Sequence, residues 1–316
     1  MTITRRCTIA PQRLRLSARL VLLAVWLGLA ARPAQAATLN VPAQYPTLQA
    51  AVDAAQAGDE ILIAARNTPY QIGDVRRSTP YPPNFSIRGS GGDPALTVLE
   101  GSIEFRPLGA GNVTLTVSGL TLRKGSSASS FGLRASHERL LRSNQTAYST
   151  TLAVVNCIVE GYLQQGSGTQ ADWGAHLIVL HSVIRNNSNG ISVGHPPTTD
   201  TLPSIVFSQV SVIRSVIASN RTYGTVAWGG LSPGFVGMNG GLQVINLDHA
   251  VIALNGVSAP GVFDVRGIRI MFSAPNIIQS RDSVFYGNRF THYAAGDTLK
   301  DLGGTVFIDA PNGQVW

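Results

Sequence analysis

Two cysteines in 316 residues, Cys7 and Cys157, exclude an intrachain disulfide framework if the first is removed with a leader, so burial and backbone hydrogen bonding must supply the stability. Charged residues make up only 13% of the chain and aromatics 7%, and the lysines are Lys124 and Lys300 alone. The formal charge of +7 is misleading. Six of the 24 basic residues precede position 37 and no acid does, which leaves 18 bases against 17 acids in the remainder. A nucleic-acid partner therefore has no electrostatic basis. The apolar run Leu20 to Ala31 falls short of the ~20 helical residues that cross a bilayer. No glycine-rich phosphate loop precedes a helix, and no Gly-x-Ser-x-Gly elbow occurs.

Arg5, Arg6, Arg13, Arg15 and Arg19, then that apolar run, then Ala34-Gln35-Ala36 follow the order of a secretory signal. The expectation is cleavage after Ala36, with residues 1–36 a signal peptide and 37–316 one secreted, periplasmic or extracellular domain without a transmembrane anchor.

What the chain has is recurrence. Val154-Val155-Asn156-Cys157-Ile158-Val159 returns as Val179-Leu180-His181-Ser182-Val183-Ile184, Val212-Ile213-Arg214-Ser215-Val216-Ile217, Leu247-Asp248-His249-Ala250-Val251-Ile252 and Ser280-Arg281-Asp282-Ser283-Val284-Phe285. The small residues at 157, 182, 215, 250 and 283 are 25, 33, 35 and 33 positions apart, the period of a solenoid. Each repeat reads as two strand pieces around a polar corner, with Cys157, Ser182, Ser215, Ala250 and Ser283 turned inward and Ile158, Val183, Val216, Val251 and Val284 turned outward. A second polar row, Asn187, Asn220, Asn255 and Asn288, is expected at a tight corner, where Asn tolerates left-handed backbone angles. Residues 45 to 58 carry the one helical pattern, with Leu48, Ala51, Val52 and Ala55 on one face, Thr47 as cap and Gly58 as stop.

Thr47-Leu48-Gln49-Ala50-Ala51-Val52-Asp53-Ala54-Ala55 with Gly58-Asp59-Glu60-Ile61-Leu62-Ile63, followed by Phe85-Ser86-Ile87-Arg88-Gly89 and Val117-Ser118-Gly119-Leu120-Thr121-Leu122, resembles the pectin-lyase-like superfamily. The resemblance implies an all-β, single right-handed parallel β-helix of seven to nine coils, with a short N-terminal capping helix that blocks the first strand edge.

Enzymes of that superfamily act on polysaccharides from the outer face of neighbouring coils. His181, Arg214, His249 and Asp282, with Asp248 beside them, are the candidate catalytic residues, since Arg and His bind a uronate carboxylate and a base at that height removes the adjacent proton. Leu247-Asp248-His249 resembles a stretch of pectate lyases, and Asn189 to His195 with Gly267-Ile268-Arg269-Ile270 is similar to segments of polygalacturonases. The calcium-binding acids of the former and the three aspartates of the latter have no counterpart. Asp264 likewise lacks the companions it would have in a pectin methylesterase. Tyr162, Trp173, Tyr223, Trp228, Tyr286 and Tyr293 fall in or near the connections and are the candidate sugar-stacking residues. His176 and His181, five apart on a strand, face opposite ways, so no metal and no cofactor is expected. The reading is a non-catalytic scaffold for a polysaccharide or a surface protein, with a uronate-directed lyase, glycoside hydrolase or esterase as the alternative.

Overall fold

The structure is a computed structural model that describes residues 36–77, 84–107, 112–126, 129–136, 150–163, 166–172, 175–193, 208–221, 223–228, 243–255, 266–271, 277–288 and 298–308. Residues 1–35 of the expected signal peptide lie outside these residues. Residues Ala37–Trp316 form one compact unit, and among the described residues no helix is long and apolar enough to cross a membrane.

Strand pairing is parallel throughout, each strand meeting its equivalent one winding on. Ten strands make the first face: Thr38–Val41, Glu60–Ile63, Phe85–Gly89, Val113–Ser118, Thr150–Val155, His176–Leu180, Ser208–Ile213, Gln243–Asp248, Ile277–Arg281 and Thr298–Asp301. One strand per winding gives more coils than the seven to nine expected. A 14-stranded sheet forms the other two faces and bends between them. Its second-face strands are three residues long, from Thr121–Arg123 through Ile158–Glu160, Val183–Arg185, Val216–Ala218, Val251–Ala253 and Val284–Tyr286 to Val306–Ile308. Its third-face strands include Phe131–Ser136, Ser167–Asp172, Asn189–Val193, Tyr223–Trp228 and Arg266–Met271. Val98–Phe105 pairs with both Thr121–Arg123 and Phe131–Ser136, so it runs across the bend. The chain is a parallel β-helix.

The interior follows the repeat. Val159, Ile184, Ile217, Ile252 and Phe285 are wholly buried and stack along the axis, and Phe285 continues onto the ring of Phe307 at 4.8 Å. Ile158, Val183, Val216, Val251 and Val284 pair in register and are half-buried, each shielded by its neighbours in the column. Beside them the buried small residues form a hydrogen-bonded ladder. Cys157 N–H donates to Ser182 Oγ at 3.0 Å, Ser182 N–H to Ser215 Oγ at 3.0 Å, and Ala250 N–H to Ser283 Oγ at 3.1 Å.

The Asn row is not at the left-handed corner. Asn187, Asn220, Asn255 and Asn288 are fully buried, and the residues before them take the turn: Asn186, Ser219, Leu254 and Gly287 have φ of 54°, 54°, 53° and 56°. That turn aims each Asn inward, where its Oδ1 accepts a backbone N–H one winding back at 3.1 Å, from Tyr162 for Asn187 and from the preceding Asn of the row for the other three. Side-chain amides bond one another along the row, and each Nδ2 of the row also donates to a main-chain carbonyl one winding back. Burial without such bonds would cost several kcal/mol per amide, of order ~2–7 kcal/mol.

The helix is shorter than its sequence pattern. It spans Leu48–Ala54, with Thr47 Oγ1 accepting from Ala50 N–H at 3.1 Å and Leu48, Ala51 and Val52 buried in the first windings. Gly58, at φ 87°, serves the turn into Glu60–Ile63 and not the helix end.

Candidate functional site

The first face meets the second at a single corner residue per winding. Gly119, Asn156, His181, Arg214, His249 and Asp282 occupy it in turn, with φ of 63°, 49°, 50°, 46°, 50° and 46°. One left-handed residue bends the chain from the first face onto the second, so the next residue points into the core and the corner side chain points out. The corner N–H groups stay satisfied: His181 donates to Ile213 O at 3.1 Å, Arg214 to Asp248 O at 2.9 Å, His249 to Arg281 O at 3.0 Å and Asp282 to Gly303 O at 2.9 Å. Four of the five candidate catalytic residues thus lie on one edge of the solenoid, and all four are exposed.

Asp248 belongs to the adjoining column, Leu180, Ile213, Asp248 and Arg281, whose members pair in register. This brings Asp248 beside His249, with Oδ1 2.8 Å from Nδ1, while Asp282 Oδ2 lies 3.8 Å from Nε2. One ligand atom from each of the three falls within 4.8 Å of the others. Arg281, exposed and next to this group, has no place in the sequence-derived set; its signal was its position one residue before the corner in the repeat. His181 and Arg214 occupy earlier rungs of the ridge.

The ridge is open. The two described concavities lie elsewhere, one lined by Asp59, Asn84, Ser86 and Thr114 and the other by Arg123, Lys124, Glu160 and Gly161.

The aromatic set separates. Tyr162 is 1% exposed and its hydroxyl donates to Gly101 O, with burial pushing its pKa up. It belongs to the core and not to a sugar platform, because Gly161, at φ 88°, turns it inward. Tyr223 and Trp228 are the end residues of the third-face strand Tyr223–Trp228, not part of a connection. Tyr286 is 41% exposed on the second face, in the winding that carries Asp282. Trp173 and Tyr293 lie outside the described residues, as do Asp264 and His195. Cys157 is 1% exposed, and burial raises its thiol pKa to about 12, so it is no nucleophile at neutral pH. His176 is half-buried on the first face, and desolvation lowers its pKa.

No family model matches the chain, and no curated protein does. Among solved structures the chain is similar to the pectate lyase Pel9A, at 13% identity and TM-score 0.44 over 83% of this chain and 70% of that one. It is also similar to the PL6 family alginate lyase AlyGC, at 15% identity and TM-score 0.36, over 84% of this chain and 40% of that one. A third is the A-module of the Azotobacter vinelandii mannuronan C-5 epimerase AlgE6, at 12% identity and TM-score 0.24, over 82% of this chain and 94% of that one. Independently of these, the strand pairing defines the class: a parallel β-helix with a charged corner ridge on its later windings.

Proposed function

We propose that the protein is an exported, non-catalytic scaffold that binds an anionic polysaccharide along this ridge. One observation carries the reading. The corner position needs a left-handed residue, which Gly119 and Asn156 supply cheaply, yet the later windings place there the long Arg214 and the imidazoles of His181 and His249, all with side chains in solvent. For an ordinary L-residue that conformation costs about 1–2 kcal/mol. Strain held at a surface position is a pointer to function. Strand neighbours in a ladder are spaced by about 4.8 Å, so the Arg214 guanidinium and the ring N–H groups of His181 and His249 on successive rungs present a row of donors matched to repeating carboxylates. An open edge accommodates a long chain and excludes no water, which suits binding better than bond cleavage.

The test uses Arg214→Asn. The purified protein should retain alginate or polygalacturonate on affinity electrophoresis, and the variant should bind several-fold more weakly while unfolding at a higher temperature. Equal binding by the two proteins refutes the ridge as the binding surface. A second reading, a uronate-directed enzyme, is favoured by the Asp248–His249 hydrogen bond, which orients an imidazole as a carboxylate does for a general base. Unsaturated products or new reducing ends that vanish with His249→Asn would establish that reading and displace the first.

A further inference from the structure

We propose that His249 and Asp282 form a binding site for a divalent ion of the zinc class, with Asp248 as the group that positions the histidine. A carboxylate only accepts, so the 2.8 Å contact of Asp248 Oδ1 with His249 Nδ1 places the ring proton on Nδ1 and leaves the Nε2 lone pair free. That nitrogen faces Asp282 Oδ2 at 3.8 Å. The separation is too long for a hydrogen bond, whose usual limit is about 3.2 Å. Two ligands at about 2.0–2.1 Å from zinc stand ~3.3–3.4 Å apart at the tetrahedral angle, so this pair would close by about 0.4 Å onto a shared ion. The carboxylate–histidine pair behind the ion is the arrangement that fixes tautomer and ring orientation at zinc sites.

The backbone prepares the second ligand. Asp282 Oδ1 lies against Gly304, where an added Cβ would come within 2.0 Å of it, and Gly304 sits at φ 75°. A side chain at 304 would displace the carboxylate from its place opposite Nε2. One nitrogen and one carboxylate oxygen, completed by water, suit zinc and its first-row neighbours, whereas calcium needs about six to eight oxygens, roughly three to four times the donors the protein offers here. Bound there, the ion would join two consecutive windings through their corners.

The corner itself supplies clean variants. Asn occupies the same position at 156 with the same left-handed angle, so His249→Asn and Asp282→Asn remove a ligand without disturbing the turn. Zinc chloride is titrated into the purified protein by calorimetry, with the ¹⁵N resonance of the His249 Nε2 followed in parallel. The expected result is one zinc equivalent in the wild type that both Asn variants lose, a zinc-dependent shift of Nε2, and about tenfold weaker binding in Asp248→Asn. Calcium at the same concentration should not displace it. Zinc stoichiometry unchanged in both variants, an unmoved Nε2 resonance, or effective competition by calcium would each overturn the site.

Discussion

Replacing Asn220 with alanine tests the interior ladder at its middle rung. Asn220 is fully buried and makes four side-chain bonds there: Oδ1 accepts from Asn187 N–H at 3.1 Å and from Asn187 Nδ2 at 3.2 Å, and Nδ2 donates to Ile184 O at 3.2 Å and to Asn255 Oδ1 at 2.9 Å. After truncation Asn187 Nδ2 keeps Val159 O and Asn255 Oδ1 keeps the N–H of residue 220, so those groups remain served. Asn187 N–H loses its acceptor, and Ile184 O loses a donor. At about 1–3 kcal/mol for each buried group left unmade, the cost is roughly 3 kcal/mol. Denaturant unfolding of the purified protein should show that loss, with hydrogen exchange fastest in windings on either side, because solenoid stability is passed between nearest neighbours. Arg221→Ala, next door and exposed, should change stability by less than ~0.5 kcal/mol. An Asn220→Ala loss as small as that would refute the ladder. Asn220→Asp adds a sign to the test. The carboxylate keeps both acceptor roles but cannot donate, whereas the protonated acid has an O–H to give, and the charged form is buried, so the folded pKa lies above the unfolded value of about 3.9. That variant should be most stable below the unfolded pKa and weaken as pH rises through the raised folded value.

Ala250→Ser should stabilise the protein by about 1 kcal/mol, because Ser215 N–H has no partner among the described residues and a hydroxyl at 250 would accept from it, as the other serines of the row do; an unchanged denaturation midpoint would refute this. Cys157 should resist thiol reagents in the native protein and react only on unfolding, so labelling at a rate independent of denaturant would contradict its burial. His176 is held below its ordinary value of 6.5 by desolvation, so the unfolded chain binds its proton first. The stability it contributes is full above about pH 6.5 and is lost as pH falls, and His176→Gln should flatten that part of the pH profile.

Much of the fold was legible because one motif fixes three rows at once. A strand of three residues between two one-residue turns leaves no freedom of register, so Ile158, Val183, Val216, Val251 and Val284 had to stack once their motifs were aligned. The third face was not legible. Phe131–Ser136 is buried at five of its six positions, on both sides of the strand, and Glu104 is 8% exposed beside Arg134 at 3.4 Å. Alternation vanishes when both sides of a strand are covered, and with it the signal that marks a strand in sequence. The Asn row was found at the right positions with the wrong backbone, since a residue that favours left-handed angles is also a residue whose amide builds a ladder. Its left-handed partners, Ser219 and Leu254 among them, are types that betray nothing.

The same contrast explains what the ridge retains. Interior rows are tied to their neighbours: an Asn that leaves the ladder orphans a backbone group in the preceding winding, so residue type is dictated by the fold. At the first corner the backbone ladder dictates only a left-handed angle, and the side chain is exposed at 181, 214, 249 and 282. A chain selected for stability alone would fill that column with Gly and Asn, as it does at 119 and 156. From 181 onward it carries instead His, Arg, His and Asp, and Asp248 and Arg281 gather on the adjoining column at the same end. Charge therefore collects where the scaffold is indifferent to it and where the backbone is least comfortable with it. That conjunction is the support for the ligand site proposed on the later windings of the corner.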